Sequence, residues 1–118
     1  MICVVDDDTS VLRSIRQLLA SDGLEAQTFN NAEDFLDYAQ EHVVKLAVLD
    51  VWMPAQTGIR LQERLHDLSP KTIVIIISGG EPAIRGLALD GGAYAFLAKP
   101  FDDEAFLTSV RGALGEKM

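Results

Sequence analysis

The most constraining feature of the sequence is a short apolar run that ends in an acid. Residues 46–49, Leu-Ala-Val-Leu, are typical of a strand that is buried on both faces of a parallel sheet. Asp50 ends the run, and Pro54 stops the chain from continuing as a strand or a helix. Because open α/β sheets place their sites at the carboxyl ends of strands, Asp50 is a candidate functional carboxylate. The alternative is that Asp50 only caps the loop after the strand, as many aspartates do.

Five apolar segments alternate with segments of helical periodicity. The predicted strands cover residues 2–5, 24–29, 46–50, 72–77 and 93–98. Short connections between alternating strands and helices predict a parallel sheet that is covered on both faces. Segment 24–29 is polar on one face and 93–98 lacks β-branched residues, so both suit sheet edges. We therefore predict an α/β, flavodoxin-like, doubly wound fold with a five-stranded parallel sheet of order 2-1-3-4-5 and five helices.

Local signals predict where each helix begins and which residues face the core. We expect Leu68 and Leu87 to point inward from the third and fourth helices. The predicted helix starts are a cap at Thr9 or Ser10, a capping box from Asn30 to Glu33, an opening at Gly58, Pro82 in a first turn and a cap at Asp102.

Composition narrows the functional classes. The chain has 118 residues, 48% of them hydrophobic, which suffices for the core of one domain. Its formal net charge of −8 argues against direct contact with nucleic acid or with an anionic membrane. The apolar runs are too short to span a bilayer, no signal-peptide pattern is visible, and Cys3 suits a small buried hydrophobe. We expect one cytoplasmic domain over residues 1–118, with no output domain.

Three carboxylates are predicted to share one crevice. In the 2-1-3-4-5 order the ends of the first and third strands are neighbours, which gathers Asp6, Asp7 and Asp50. Carboxylates this close repel each other, so a cation is expected among them. Oxygen ligands with room for water favour Mg²⁺ over Ca²⁺, with Mn²⁺ as a substitute. A nucleotide or flavin phosphate site would instead need a Gly/Ser/Thr-rich loop at a helix N-terminus.

Two further strand ends add a hydroxyl and an ammonium group. Ser78 follows the fourth predicted strand, and Lys99 follows the fifth. The bond from Lys99 to Pro100 is a candidate cis peptide, although only about 5% of X–Pro bonds are cis. A turn serine, a solvated lysine and a capping acid are the ordinary explanations of these residues. Their joint occurrence at the carboxyl ends of adjacent strands favours a single site.

Four motifs together resemble the response-regulator receiver domain of two-component signalling, over nearly the whole chain. They are Val4-Val5-Asp6-Asp7-Asp8, Leu49-Asp50-Val51-Trp52-Met53-Pro54 with Gly58 after it, Ile77-Ser78-Gly79, and Phe96-Leu97-Ala98-Lys99-Pro100-Phe101. The second and fourth motifs are most similar to receivers of helix-turn-helix transcription factors of the nitrogen-fixation-regulator type. Each motif is weak alone, and their combination is specific.

The resemblance implies a phospho-acceptor and a magnesium site. Asp50 would accept the phosphoryl group and contribute a metal ligand. Asp7 would bind the metal directly, and Asp6 would bind it through water. The backbone carbonyl of Trp52 would add another ligand.

The resemblance also implies residues that sense the phosphoryl group. Ser78 and Lys99 would bind its oxygens, and Phe96 matches an aromatic switch position. Phe96 has no hydroxyl, so a switch there would work by packing alone, and an ordinary edge-strand aromatic is the alternative. Trp52 and Gly80 occupy the two positions that tune hydrolysis, where we expect the Trp52 indole to shield the acyl phosphate.

The function implied by the resemblance is a phosphorylation switch rather than an enzyme. A sensor histidine kinase would donate the phosphoryl group in a Mg²⁺-dependent reaction, and slow self-dephosphorylation would reset the chain. A partner or a second copy would read the face of the fourth helix, fifth strand and fifth helix, and an output domain would control transcription. The alternatives are a stand-alone receiver that docks to proteins, a degenerate receiver, and a Mg²⁺-dependent aspartyl-phosphate phosphatase. Such a phosphatase usually carries a second aspartate where this chain has Trp52.

Overall fold

Strand and helix alternate five times along the chain. The computed structural model describes residues 1–51, 57–79 and 82–115, without the side chains of residues 82 and 83. Trp52 and Gly80, to which the sequence assigns roles, lie outside the described residues. The elements in order are β1 (Ile2–Val5), α1 (Thr9–Ser21), β2 (Ala26–Phe29), α2 (Ala32–Glu41), β3 (Leu46–Asp50), α3 (Gly58–Leu68), β4 (Ile73–Ser78), α4 (Pro82–Asp90), β5 (Ala95–Ala98) and α5 (Asp103–Ala113).

The five strands form one parallel sheet in the order β2-β1-β3-β4-β5, which confirms the predicted topology. The side chains of β1 and β3 are all buried, as expected for central strands with helices on both faces. The edge strands β2 and β5 contain no fully buried residue. Asp50, the last residue of β3, therefore lies between the carboxyl ends of β1 and β4.

Helices cover the two faces of the sheet unequally. Helices α2, α3 and α4 pack on one face, while α1 and α5 pack on the other. Because successive side chains of a strand point to opposite faces, Leu49 lies in the first apolar cluster and Val48 in the second. Among the described residues no helix is long and apolar enough to cross a bilayer.

Two of the predicted helix caps are wrong by a short distance. Asp8 caps α1, instead of Thr9 or Ser10, because its carboxylate accepts hydrogen bonds from two free N–H groups of the first turn. Asn31, one residue after the predicted Asn30, caps α2 by accepting from the Asp34 N–H. The pair of residues at the start of α2 is therefore Asn31 and Asp34 rather than Asn30 and Glu33, and the Asn31 side-chain amide also donates to the Asp34 carboxylate.

The other helix starts agree with the sequence. Helix α3 begins at Gly58, α4 begins at Pro82, and Asp102 caps α5 by accepting from the Ala105 N–H.

Strands β2 and β5 begin later than predicted, for a common reason. The N–H of Leu24 donates to Leu19 and the N–H of Ala93 donates to Ala88, so both groups complete the ends of the preceding helices. Gly23 and Gly92 have φ values of +77° and +100°, which is the left-handed conformation that this type of helix end requires. An N–H that donates to the preceding helix cannot also donate to a neighbouring strand, so these residues do not belong to the sheet. Strand β4 is displaced by one residue and includes Ser78.

Two leucines that the sequence places in the core are exposed. Leu68 is 40% exposed because α3 ends there, and Leu87 is 54% exposed because α4 turns its neighbour Ala88 towards the sheet.

An ion pair links α5 to the end of α1. Arg111 of α5 donates two hydrogen bonds, of 2.9 and 2.5 Å, to the carboxylate of Asp22, the residue after α1. The hydrogen bonds from Arg111 hold the pKa of Asp22 below its ordinary value of 3.8.

The junction between β3 and α3 depends on a glycine. The Gly58 N–H donates to the Val51 carbonyl at 2.8 Å, which brings the start of α3 against the end of β3. A Cβ at residue 58 would collide with the Asp50 carbonyl oxygen and would lie 2.9 Å from the Asp50 carbonyl carbon and from the Val51 Cα. Backbone atoms cannot move aside as a side chain can, so only glycine fits.

We expect Gly58→Ala to lower the free energy of unfolding by about 1–3 kcal/mol, because overpacking shifts the backbone next to Asp50. Urea unfolding followed by circular dichroism measures this change. Gly86→Ala in α4 is the matched control, since nothing lies within 4 Å of its added Cβ. The control should be as stable as the wild type or slightly more stable, and equal effects of the two variants would contradict the prediction.

Candidate functional site

Parallel pairing brings the predicted carboxylates together. Asp6 follows β1 and Asp50 ends β3, and the register pairs Val5 with Leu49 immediately before them. Asp6 is 1% exposed and Asp50 is 4% exposed, whereas Asp7 is exposed. One carboxylate oxygen from each of the three residues lies within 4.8 Å of the others. The crevice thus has two buried acids at its base and one exposed acid at its mouth.

Lys99 reaches both buried carboxylates from the end of β5. Its Nζ lies 3.0 Å from Asp6 Oδ2 and 3.3 Å from Asp50 Oδ1. Its backbone N–H donates to the Ser78 carbonyl at 2.6 Å, which fixes the start of the β5–α5 loop against the end of β4. The Lys99–Pro100 peptide bond is cis.

The charges of the site do not balance. Burial raises the pKa of Asp50, and the neighbouring Asp6 charge raises that pKa further, because Lys99 offsets these effects only in part. Burial alone would lower the pKa of Lys99, but its bonds to Asp6 and Asp50 more than compensate, so the pKa of Lys99 is raised. One ammonium group beside three carboxylates favours the entry of a further cation.

Asp6 is held in place by a residue whose role the sequence analysis missed. The backbone N–H of Asp8 donates to Asp6 Oδ1 at 2.9 Å, while Asp6 Oδ2 accepts from Lys99. Asp8 therefore both caps α1 and orients Asp6. The signal was present in the acidic triplet, because an aspartate side chain commonly accepts from the backbone N–H two residues later.

Ser78 lies on the strand next to Asp50, and Phe96 lies one strand further away, on β5. Ser78 is fully buried at the end of β4, one residue beyond Ile77, which pairs with Asp50. Phe96 pairs with Ile76 on β5 and is half-buried against the cluster that α2, α3 and α4 cover. Ser78 is two residues after Ile76, so its side chain faces the same side of the sheet as that of Ile76. Phe96, the partner of Ile76, faces this side too, which is the side that α4 covers.

A cavity of about 640 Å³ opens beside Lys99. It lies between α1 and the β5–α5 loop, and its lining combines hydroxyl and apolar side chains. The residues of α1 that line it include Ser10, Ser14, Val11 and Leu18, and those of the loop include Phe101. Sequence reasoning did not predict this cavity, since only the packing of α1 against the loop creates it.

The donor set fits a hard divalent cation. The three clustered residues offer only oxygen atoms, and Asp7 at the mouth leaves the crevice open to water. The Trp52 carbonyl, which the resemblance adds to the ligands, lies outside the described residues.

Comparison with known proteins identifies the family. Residues 2–111 match the family model described as "Response regulator receiver domain". The chain therefore belongs to the response-regulator receiver domains, the signalling switches of two-component systems.

Curated relatives and solved structures agree with this family. The response regulator protein TodT of Pseudomonas putida is 35% identical over 115 residues, which cover 97% of this chain and 51% of TodT. The transcriptional regulatory protein FixJ of Azorhizobium caulinodans is 37% identical over 113 residues, which cover 95% of this chain and 54% of FixJ. The chain thus spans about half the length of these relatives.

Among solved structures, the beryllofluoride-activated NtrC4 receiver domain dimer superposes with a TM-score of 0.92 at 33% identity. The match covers 97% of this chain and 95% of that chain.

We expect Lys99→Met to raise the pKa of Asp50 further, because burial and repulsion from Asp6 then act without an opposing cation. Carboxyl ¹³C NMR titration in the presence of a chelator measures this pKa, and the exposed Lys71→Met is the control. Between the ordinary aspartate pKa and the raised one, Asp50 keeps its proton in the folded variant and has lost it in the unfolded chain. The free energy of unfolding of the variant should therefore fall as the pH rises through this interval. An Asp50 pKa equal in both variants would contradict the prediction.

Proposed function

We propose that this chain accepts a phosphoryl group on Asp50 from the phosphohistidine of a sensor histidine kinase. The supporting observation is the contact of Lys99 Nζ with both buried carboxylates, at 3.0 and 3.3 Å. An Asp50 carboxylate oxygen attacks phosphorus, the P–N bond of the phosphohistidine breaks, and the imidazole leaves with the electron pair and takes up a proton. The product is an acyl phosphate on Asp50.

Asp6, Asp7 and Asp50 would hold Mg²⁺, with Mn²⁺ as a substitute. The bound cation supplies positive charge that offsets repulsion between the carboxylates and the incoming phosphoryl oxygens. Asp6 keeps its orientation through Lys99 and the Asp8 N–H. Exposed Asp7 lies on the path by which a hydrated cation enters.

Lys99 and Ser78 then sense the new charge. Lys99 already lies 3.3 Å from Asp50, so its ammonium binds a phosphoryl oxygen with little movement. Ser78 offers a hydroxyl from the neighbouring strand end, and its attraction to the phosphoryl group draws the carboxyl end of β4 inward. Phe96, half-buried on the same side of the sheet, turns into the space that this movement leaves.

The cavity beside Lys99 is the proposed docking surface for the kinase. It adjoins the lysine that reaches Asp50, so a helix in it would present a phosphohistidine to the acidic crevice. Its lining of hydroxyl and apolar side chains suits an amphipathic helix.

We further propose that the chain controls transcription through an output domain of a longer protein. In support, the relative FixJ, of which this chain covers 54%, is named a transcriptional regulatory protein. The tuning of hydrolysis by Trp52 and Gly80 remains a prediction.

A small phosphodonor with Mg²⁺ should give one phosphoryl adduct by intact mass spectrometry. Asp50→Asn should abolish the adduct because the amide is not a nucleophile, and a chelator should abolish it in the wild-type chain. Asp67→Asn is the control, since Asp67 is exposed near the C-terminal end of α3, whereas the N-terminal end of that helix lies against Asp50. Turnover of many donor equivalents without an adduct would instead indicate a phosphatase, and an adduct that survives Asp50→Asn would refute the proposed acceptor.

We also propose that a second copy binds to the surface formed by α4, β5 and α5. Three large apolar side chains are exposed there or at its border, namely Leu87 at 54%, Leu89 at 38% and Tyr94 at 51%. Helix α4 follows Ser78, so a phosphoryl group on Asp50 would alter this surface. The similar NtrC4 receiver domain forms a dimer in its beryllofluoride-activated state.

We expect the phosphorylated chain to associate, and Leu87→Asp to weaken the association at least tenfold because a carboxylate replaces an apolar contact. Light scattering of phosphorylated samples at several concentrations measures the dimer constant. Val43→Asp is the control, because Val43 is 87% exposed in the α2–β3 connection, away from this surface. Equal weakening by both variants would place the interface elsewhere.

A further inference from the structure

Helix α4 is held to the sheet by few apolar contacts. Among its described side chains, those of residues 84–90, only Ala88 is buried. Helix α5, by contrast, buries Phe106, Leu107, Val110 and Ala113. An element with so little buried apolar surface belongs to the least stable part of a fold, so individual polar contacts have large effects on its position.

One buried polar side chain contacts the end of this helix. Gln62 of α3 is 3% exposed, and its Nε2 donates to the Ala88 carbonyl oxygen at 3.1 Å. The same carbonyl accepts the Ala93 N–H at 3.0 Å, in the hydrogen-bonded turn that ends α4. Gln62 therefore donates to the same carbonyl that closes the C-terminal turn of α4. A carbonyl can only accept, which fixes the amide orientation, with nitrogen towards Ala88.

The Gln62 amide is not a requirement of core packing. Its Oε1 is buried without a hydrogen-bond partner among the described residues, and such an atom carries a desolvation cost. The amide also lies against Gly91, whose added Cβ would be 3.3 Å from both Nε2 and Oε1. An apolar side chain of the same length would avoid the desolvation cost. The hydrogen bond to Ala88 is therefore the contribution that is specific to glutamine.

The two ends of α4 differ. Its C-terminal end is tied to α3 through Gln62 and is closed by the turn at Gly92. Its N-terminal end lies four residues after Ser78 along the chain. A helix of this length places that end about 12 Å from the C-terminal end.

We propose that Gln62 is a positioning residue that fixes the C-terminal end of α4, so that the helix pivots there while its N-terminal end follows Ser78. The pivot rests on the proposed function, since phosphorylation of Asp50 is its trigger. The fixed end does not, because the Gln62 contact joins α3 to α4 and includes no residue of the acidic crevice.

Amide hydrogen exchange by NMR on the full chain tests the fixed end. In Gln62→Met the amides of Gly91, Gly92 and Ala93 should exchange roughly three- to tenfold faster, the loss expected for one hydrogen bond. Amides of β1 and β3 should not change, and the urea midpoint should stay equal or rise, because the unpaired Oε1 is removed as well. Gln40→Met on α2 is the matched control, since Gln40 is exposed.

Three outcomes decide this part. Faster exchange confined to residues 91–93 supports the proposal. Unchanged exchange there overturns it. Acceleration by the same factor in β1 and β3 also overturns it, because Gln62 would then contribute only to the stability of the whole fold. Gln62→Leu repeats the measurement if Gln62→Met does not fold.

The phosphorylated chain tests the pivot separately. Intact mass first establishes the adduct on Asp50, so a missing adduct counts against the proposed function and leaves the exchange result on Gln62 standing. With the adduct present, backbone chemical shifts should change at residues 84–87 and stay nearly constant at 91–93. Equal changes at both ends of α4 would overturn the pivot.

Discussion

The contact between Lys99 and the two buried carboxylates is the interaction on which the site depends. Pairing of β1 with β3 forces Asp6 and Asp50 together at the base of one crevice, where burial makes their repulsion costly. Lys99 offsets part of that repulsion from the end of β5, which lies two positions from β3 and three positions from β1 in the sheet. The negative charge that remains favours the binding of a divalent cation, which the proposed phosphoryl transfer requires.

Helices α4 and α5 differ in how firmly they are held to the sheet. Helix α5 buries four side chains and is linked to the end of α1 through Arg111 and Asp22. Helix α4 buries one described side chain and relies on polar contacts at its C-terminal end. In the proposed switch, the helix that moves is α4, which begins four residues after Ser78.

Most of the fold and of the site was predictable, and the errors share a physical cause. Apolar runs separated by helical periodicity predicted the sheet order, because edge and central strands differ in polarity. Leu24 and Ala93 were assigned to strands since both are next to apolar runs, but their N–H groups close helices instead. Leu87 was assigned to the core from spacing alone, whereas the small neighbouring Ala88 takes the buried position. Sequence patterns report hydrophobicity, and they do not report which of two competing hydrogen bonds forms.

The sequence by itself determined the family, the sheet order and the candidate acceptor, since motifs at four strand ends and an alternating pattern suffice for these. Only the tertiary structure decided that Lys99 contacts Asp6 and Asp50 at once, that the Asp8 N–H orients Asp6, and that Gln62 ties α3 to α4. Each of the Lys99 and Gln62 contacts joins residues at least 26 positions apart. Such contacts depend on how helices pack on the sheet, and no local pattern in the chain encodes that packing.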